Sequence, residues 1–420
     1  MADTLAALHA AVIDTPADRT VRLVYADALD ESGDPSNAAR AEFIRAQIAL
    51  EPLAGTEPEW NALAERCDDL FREHWIDWWR PVCVAVGLPE PYVPTRRIRE
   101  RVKRAVGREK RELGAPYTIF PKSRGVWSVR SEEHGFTAQF IAGCPELLYF
   151  HATLPSSLPR WVEAVPLARL RWAGSGFAGE SWELFNGPHI ANVSELIFDR
   201  LPFAAATILA RSEHLRDLVA LKVLPLRPAA SVLRELLSNP TWTKLRAFTL
   251  TGATPPDAIQ AIAERCTLEE LESLSFGICE IPEHPVFGGL TGAVGTMLTE
   301  MMSRFFGDQP VLPGPLRWPD YWPALDTLAR SPVLPRLRTL QMIDVDPLAN
   351  TLTGFFRQFD QAQAQAPPDP ENLFPDTLVR TLAEGLNADK LVRLELPAAR
   401  LSPNSRAELV RRFGSRLVLA

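Results

Sequence analysis

The chain has 420 residues, 46% of them apolar and 23% charged, with a formal net charge of −7. That composition leaves ample chain for a core and excludes wholesale disorder. The acidic balance argues against a chain that coats nucleic acid along its whole length. No apolar run approaches the ~18–20 residues that a membrane span needs. The opening MADTLAALHAAVIDTPAD carries acids early and no basic stretch, so it reads as a helix start rather than a secretory signal. The cysteines, Cys67, Cys83, Cys144, Cys266 and Cys279, are odd in number and widely spaced, with no CxxC and no Cys/His cluster at metal spacing. The expectation is a reducing, cytoplasmic setting with no metal, no cofactor and no membrane. Of 45 basic residues only six are Lys, and 37 prolines point to many short elements with punctuated joints.

In chain order, residues 5–14 place Leu5, Leu8 and Val12 on one helical face. Asp18 is a candidate cap for a second helix whose apolar stripe is Val21, Val24, Tyr25 and Ala28, stopped at Gly33. Asp34-Pro35 reads as N-cap and first turn of a third helix with Ala41, Ile44 and Ile48 inward. Thr56 and Glu59 form a capping-box pattern. From there an amphipathic helix carries Trp60, Leu63, Ala64, Cys67, Leu70, Phe71, Trp75, Trp78 and Trp79. The expected first domain is all-α, residues 1–80.

RLVYADALDESGD (22–34) followed by RAEFIRAQIAL (40–50) resembles the bacterial repeat-companion domain, whose pattern runs roughly RLVYADWLEE-x-GD and then AEFIR. The resemblance covers about residues 4–50. Ala28 stands where that family usually has Trp. The family is found appended to repeats, including leucine-rich repeats, so the resemblance implies a repeat-bearing partner domain and no activity. Asp27, Asp30, Glu31, Glu42 and Arg45 are of acid/base type. With no His or Cys nucleophile beside them, capping and pairing is the favoured role.

Residues 81–140 read as a Pro-broken connecting segment, with Pro81, Pro89, Pro91 and Pro94 interrupting helix. Within it Arg96, Arg97, Arg99, Arg101, Lys103, Arg104, Arg108, Lys110 and Arg111 face only three Glu, a local charge of +6. Such a run is either a solvated helix face or an alternative binding site, over 96–111, for nucleic acid or an acidic partner.

From 141 to 420 an apolar-x-x-apolar-x-apolar pattern recurs seven times: Leu167/Leu170/Trp172, Val193/Leu196/Phe198, Leu218/Leu221/Val223, Leu245/Phe248/Leu250, Leu271/Leu274/Phe276, Leu337/Leu340/Met342 and Leu391/Leu394/Leu396. The first five copies are spaced by 26, 25, 27 and 26 residues, the next two by 66 and 54. Helix-like segments lie between copies. One strand-and-helix unit cannot bury its own apolar face, so the units must stack. The expected fold is an α/β solenoid, a parallel strand ladder with outer helices, preceded by the small all-α domain. It resembles the leucine-rich repeat of ribonuclease-inhibitor type, whose strand motif is LxxLxL. Leu201, Leu226, Ala253, Val345 and Ala399 stand where that family often has Asn or Cys, and Cys279 matches. Insertions fall near 277–333 and 347–372. The first holds Met297, Met301, Met302, Phe305 and Phe306, with Leu316-Arg317-Trp318 as a degenerate strand. SPNSRAELVRRFGSRLVLA reads as a capping helix and last strand.

GSGFAG (174–179) matches the dinucleotide fingerprint literally, and Asp199 follows Gly179 by twenty residues. Arg169 and Arg171 in the preceding strand contradict a strand buried on both faces, and Gly187-Pro188 cuts the would-be phosphate helix short. Neither GxSxG nor HExxH nor a P-loop occurs, and the seven histidines are scattered.

The expected function is a non-enzymatic protein–protein interaction scaffold that uses the open strand face. On alternation of side chains, that face carries Arg169, Arg171, Glu195, Asp199, Lys222, Thr249, Thr251, Ser273, Ser275, Thr339, Gln341, Arg393 and Glu395.

Overall fold

The computed structural model describes residues 2–16, 18–53, 57–91, 112–114, 117–119, 126–131, 134–150, 158–172, 185–199, 203–223, 230–237, 239–265, 268–278, 317–344 and 373–420. The chain divides into two compact units, Met1–Ile197 and Phe198–Ala420.

The first unit begins with four helices: α1 (Ala2–Asp14), α2 (Arg19–Glu31), α3 (Pro35–Leu50) and α4 (Pro58–Val86). The caps form as their sequences dictate. Asp18 accepts from the amides of Thr20 and Val21, and Asp34 from those of Ser36 and Asn37, with Pro35 in the first turn. Two local expectations are corrected. α4 starts at Pro58 with Glu57 as N-cap, not at a Thr56 capping box; Thr56 itself lies outside the described residues. α4 also continues through Pro81 and stops at Gly87, whose φ of 76° supplies the left-handed stop.

The buried stripe of α2 differs from the expected one. Arg22, Tyr25, Ala26 and Leu29 are inside, while Val24 is 47% exposed and Ala28 only half-buried. The stripe is rotated because Arg22 has buried partners far away in the chain, described below. On α3, Phe43 and Gln47 join Ala41 and Ile44 inside.

Antiparallel strands occupy the later part of the expected connecting segment and the residues just after it: β1 (Glu112–Gly114), β2 (Tyr117–Ile119), β3 (Trp127–Ser131), β4 (Phe136–Ile141) and β5 (Cys144–Phe150), each paired with the next. β5 then pairs in parallel with β6 (Arg169–Trp172) after α5 (Leu158–Ala164), with Leu148 opposite Leu170. β7 (Glu195–Phe198) follows. Aromatic rings join helices to strands. Phe43 lies 5.1 Å from Trp78 and 5.4 Å, edge-on, from Trp127; Phe71 lies 5.1 Å from Phe140, and Phe136 5.1 Å from Trp161. Such pairs add about 0.5–1.5 kcal/mol each beyond burial.

The second unit is a parallel ladder in chain order: β8 (Ala220–Val223), β9 (Ala247–Ala253), β10 (Ser273–Ile278), β11 (Thr339–Asp344), β12 (Arg393–Leu396) and β13 (Leu417–Leu419). Its helices are α6 (Phe203–Arg211), α7 (Ala230–Leu237), α8 (Pro256–Arg265), α9 (Trp318–Ala329), α10 (Asp376–Gly385) and α11 (Pro403–Phe413). All seven apolar triads are no more than 2% exposed. Burying one such side chain contributes about 1.5–3 kcal/mol, so the repeated triad is the main source of order.

A backbone signature repeats with the triads. The carbonyl of the residue before a strand accepts two consecutive amides of the next copy: Val219 from Arg246 and Ala247, Arg246 from Glu272 and Ser273, Glu272 from Arg338 and Thr339, and Arg338 from Val392 and Arg393. β10 pairs directly with β11 and β11 with β12, so the ladder is unbroken across both long insertions. Trp318 opens α9 rather than ending a degenerate strand; it is fully buried, with the Arg400 guanidinium 4.2 Å from its ring centre.

Candidate partner-binding faces

In the second unit, alternation leaves one side of each strand for the helices and the triads, and the other side open. Register aligns the open-side residues into two rows. One runs Ala220, Ala247, Ser273, Thr339, Arg393; the other runs Lys222, Thr249, Ser275, Gln341, Glu395. The second row is polar throughout. Gln341 Nε2 donates to Glu395 Oε2 at 3.0 Å, and the Arg393 guanidinium holds the same oxygen at 2.8 Å. Ser275 is buried between its neighbours, whereas Lys222, Thr249 and Gln341 remain partly open. Lys222 has no ion-pair partner among the described residues. Thr251 lies in β9, and its side chain is outside the described set.

The first unit has its own, smaller face. Arg171 sits opposite Tyr149, with its guanidinium 4.5 Å from the ring centre, a cation–π contact. Arg169 lies opposite Leu147, 3.2 Å from the Glu195 carboxylate and 3.8 Å from that of Glu146. Asp199, just past β7 and so in the second unit, is half-buried and partnered. Charge on this face is therefore partly spent internally, and reversing Arg169 disturbs its own acids as well as any ligand.

A concavity of about 730 Å³ lies beside the strand starts of the second unit, with the exposed Val392 among its lining residues. Arg336, Arg338, Lys390 and Arg416 stand there beside Glu269, Glu270, Glu272 and Asp389. The signs balance, and Arg338 already pairs with Glu272. Such a wall suits a solvated, charge-laced surface better than the apolar pocket that holds a small molecule.

The acids and bases of the helical segment pair with one another. Arg45 bridges Asp30 at 2.6 Å and Asp27 at 2.8 Å, and Arg66 grips Glu42 at 2.5 and 2.6 Å. The Arg66 bond holds Glu42 below the usual carboxylate range. Burial pushes the Cys67 thiol up to about 12, which leaves it unreactive at neutral pH. Among the described residues no group of three or more His, Cys, Asp or Glu is placed to hold a metal ion. No described helix is long and apolar enough to cross a membrane.

Sequence periodicity missed a buried charged cluster. Arg22, 3% exposed, donates to Glu146 at 2.8 Å and to the Pro16 carbonyl at 2.6 Å. Burial pushes the Glu146 carboxyl upward, while Arg22 and Arg169 pull it back down. The only sequence signal was an Arg on an otherwise apolar helical turn. The basic run 96–111, the GSGFAG segment, the Met297–Phe306 region and Glu283-His284 lie outside the described residues. No protein-family model matches the chain, and no curated protein matches it.

Proposed function

We propose that the protein is a non-enzymatic, cytoplasmic interaction scaffold: a repeat-companion helical segment followed by a leucine-rich-repeat ladder of ribonuclease-inhibitor type, which binds a protein partner on its open strand face. The observation that carries this reading is the in-register row Lys222, Thr249, Ser275, Gln341, Glu395, polar on five adjacent strands whose other side carries the buried apolar triads. A solvated strand face held rigid from behind offers a partner shape and charge without the entropy of ordering loops. The buried free thiols Cys67, Cys83 and Cys144 suit a reducing compartment.

The test is site-specific photo-crosslinking in living cells of the native host. A benzophenone side chain at Thr249 or Gln341 should capture one discrete protein, and the same probe at the exposed Gln260 on α8 should not. Lys222→Glu should lower the yield of that adduct. Adducts to nucleic acid, or equal capture from Gln260, would overturn the reading.

A further inference from the structure

Side chains of α2 and α3 converge on the tight turn between β4 and β5. The turn is closed by the Ile141–Cys144 pair, which leaves Ala142 and Gly143 as its two central residues. Their φ angles are 43° and 78°. Positive φ at both centres marks the mirror-image type I turn, whose twist suits a hairpin. Alanine adopts that backbone only against a steric penalty, so something must hold it there.

What holds it is a set of five hydrogen bonds to main-chain atoms. Arg22 Nη1 donates to the Ile141 and Ala142 carbonyls, each at 3.2 Å. Arg40 Nε donates to the Gly143 carbonyl at 3.1 Å. Gln47 Nε2 donates to the Phe140 carbonyl at 3.3 Å, and its Oε1 accepts from the Gly143 amide at 2.7 Å. Four consecutive residues are thus gripped through backbone alone. Selection at the turn is steric: a Cβ on Gly143 would stand 2.1 Å from Ile44 Cγ1. Arg22 and Gln47 are 3% and 6% exposed, so these bonds work in a desolvated site where unpaired groups are costly.

We propose that α2 and α3 form a receptor for a glycine-bearing, left-handed two-residue β-turn, and that its occupant here is the chain's own 140–143 corner. The ligand is read by three features: carbonyls turned outward, one amide, and a missing side chain. The consequence lies in register. A one-residue slip in a hairpin turns every side chain to the wrong face. A held turn sets β4 against β5, and β5 is the strand on which the first parallel pair, Leu148 with Leu170, is laid. The receptor therefore fixes where the parallel stacking begins. This does not depend on what the open faces bind.

Hydrogen exchange of the full-length protein, read by mass spectrometry, tests it with Gln47→Ala, Gly143→Ala, Ile44→Ala and the Ile44→Ala/Gly143→Ala pair. Gln47→Ala and Gly143→Ala should each speed exchange roughly tenfold in both 136–150 and 35–50, with 215–278 unchanged. The paired variant should exchange more slowly than the product of its two single effects, because the smaller side chain makes room for the new methyl group. Faster exchange in the hairpin alone, no change, loss of protection throughout the chain, or strict additivity of the pair would each overturn the receptor.

Discussion

In the unit ending at Ile197, charged side chains go inside, and long polar ones reach partners far along the chain. Arg22 reaches Glu146 and the turn at 141–142, Gln47 clasps Gly143, and Trp127 Nε1 donates to Asp68 at 2.7 Å. In the unit beginning at Phe198, ion pairs such as Lys244–Asp217, Arg246–Glu270 and Arg338–Glu272 lie on the surface, while the described interior repeats one apolar triad beside small uncharged polar groups, Ser212, Asn239 and Thr254 among them. Both units hold parallel strands. The first depends on a few contacts that no neighbour can replace; the second spreads its stability over many equivalent ones. The difference sets how each should fail: the first at a single polar residue, the second in proportion to the apolar area removed.

The largest effect should come from Arg22→Met. It leaves Glu146 buried with its main cation gone, which costs about 3–5 kcal/mol. Arg22→Met with Glu146→Leu should recover most of that loss, because neither charge is then stranded. Denaturant unfolding followed by tryptophan fluorescence measures both; a double variant as unstable as the single one would show that the turn contacts of Arg22 matter more than its ion pair. Next is Leu274→Ala in the middle of the second ladder, with Leu274 fully buried between Phe248 and Leu340. It should cost about 2–5 kcal/mol. Exchange protection should fall most in β9–β11 and fade with distance, as nearest-neighbour stacking requires. Uniform loss across the unit would mean that the ladder behaves as one cooperative block.

The same contrast explains what was legible in the sequence. The seven triads were readable because burial repeats with the chain period, and their register holds across two long insertions. Asp18 and Asp34 were readable because a cap acts within three residues. Arg22 was not: helical periodicity assigns a long cation to the surface, and all its acceptors but the Pro16 carbonyl lie 119 to 124 residues onward. The strands over 112–150 were hidden for a related reason. Prolines and a basic run dominate the residues just before them, and the alternation in WSVRS and FTAQFI gains meaning only once the two segments pair. On the open face, alternation named Gln341 and Glu395 separately; their hydrogen bond follows only from a register that skips the second insertion.

A smaller effect separates the units by pH. His9 is packed against Tyr25, with ring centres 5.7 Å apart, and Arg40 lies 5.9 Å from the same Tyr25 ring. Burial, and then the Arg40 charge, lower its pKa from 6.5 to about 4. The unfolded chain therefore takes up a proton near pH 6.5 that the folded chain refuses until about pH 4. Stability from His9 is fully present above the unfolded value and is lost as pH falls through that window, by about 1 kcal/mol at pH 5.5. His9→Gln should flatten the pH dependence of the first unit's melting between pH 7 and 5 and leave the second unit's unchanged. An identical slope in wild type and variant would assign the acid sensitivity to other groups.

The smallest effect belongs to the surface ion pairs of the second unit. Lys244 and Asp217 link adjacent copies, yet their side chains are 62% and 49% exposed. Water competes for both charges, and salt screens what remains, so Lys244→Ala should change stability by no more than about 1 kcal/mol. The melting temperature should hardly move, and raising the salt should shrink even that difference. A loss as large as that of Leu274→Ala would mean that the ladder relies on specific charge pairing after all, and that the two units differ in where they place their polar contacts rather than in how much depends on them.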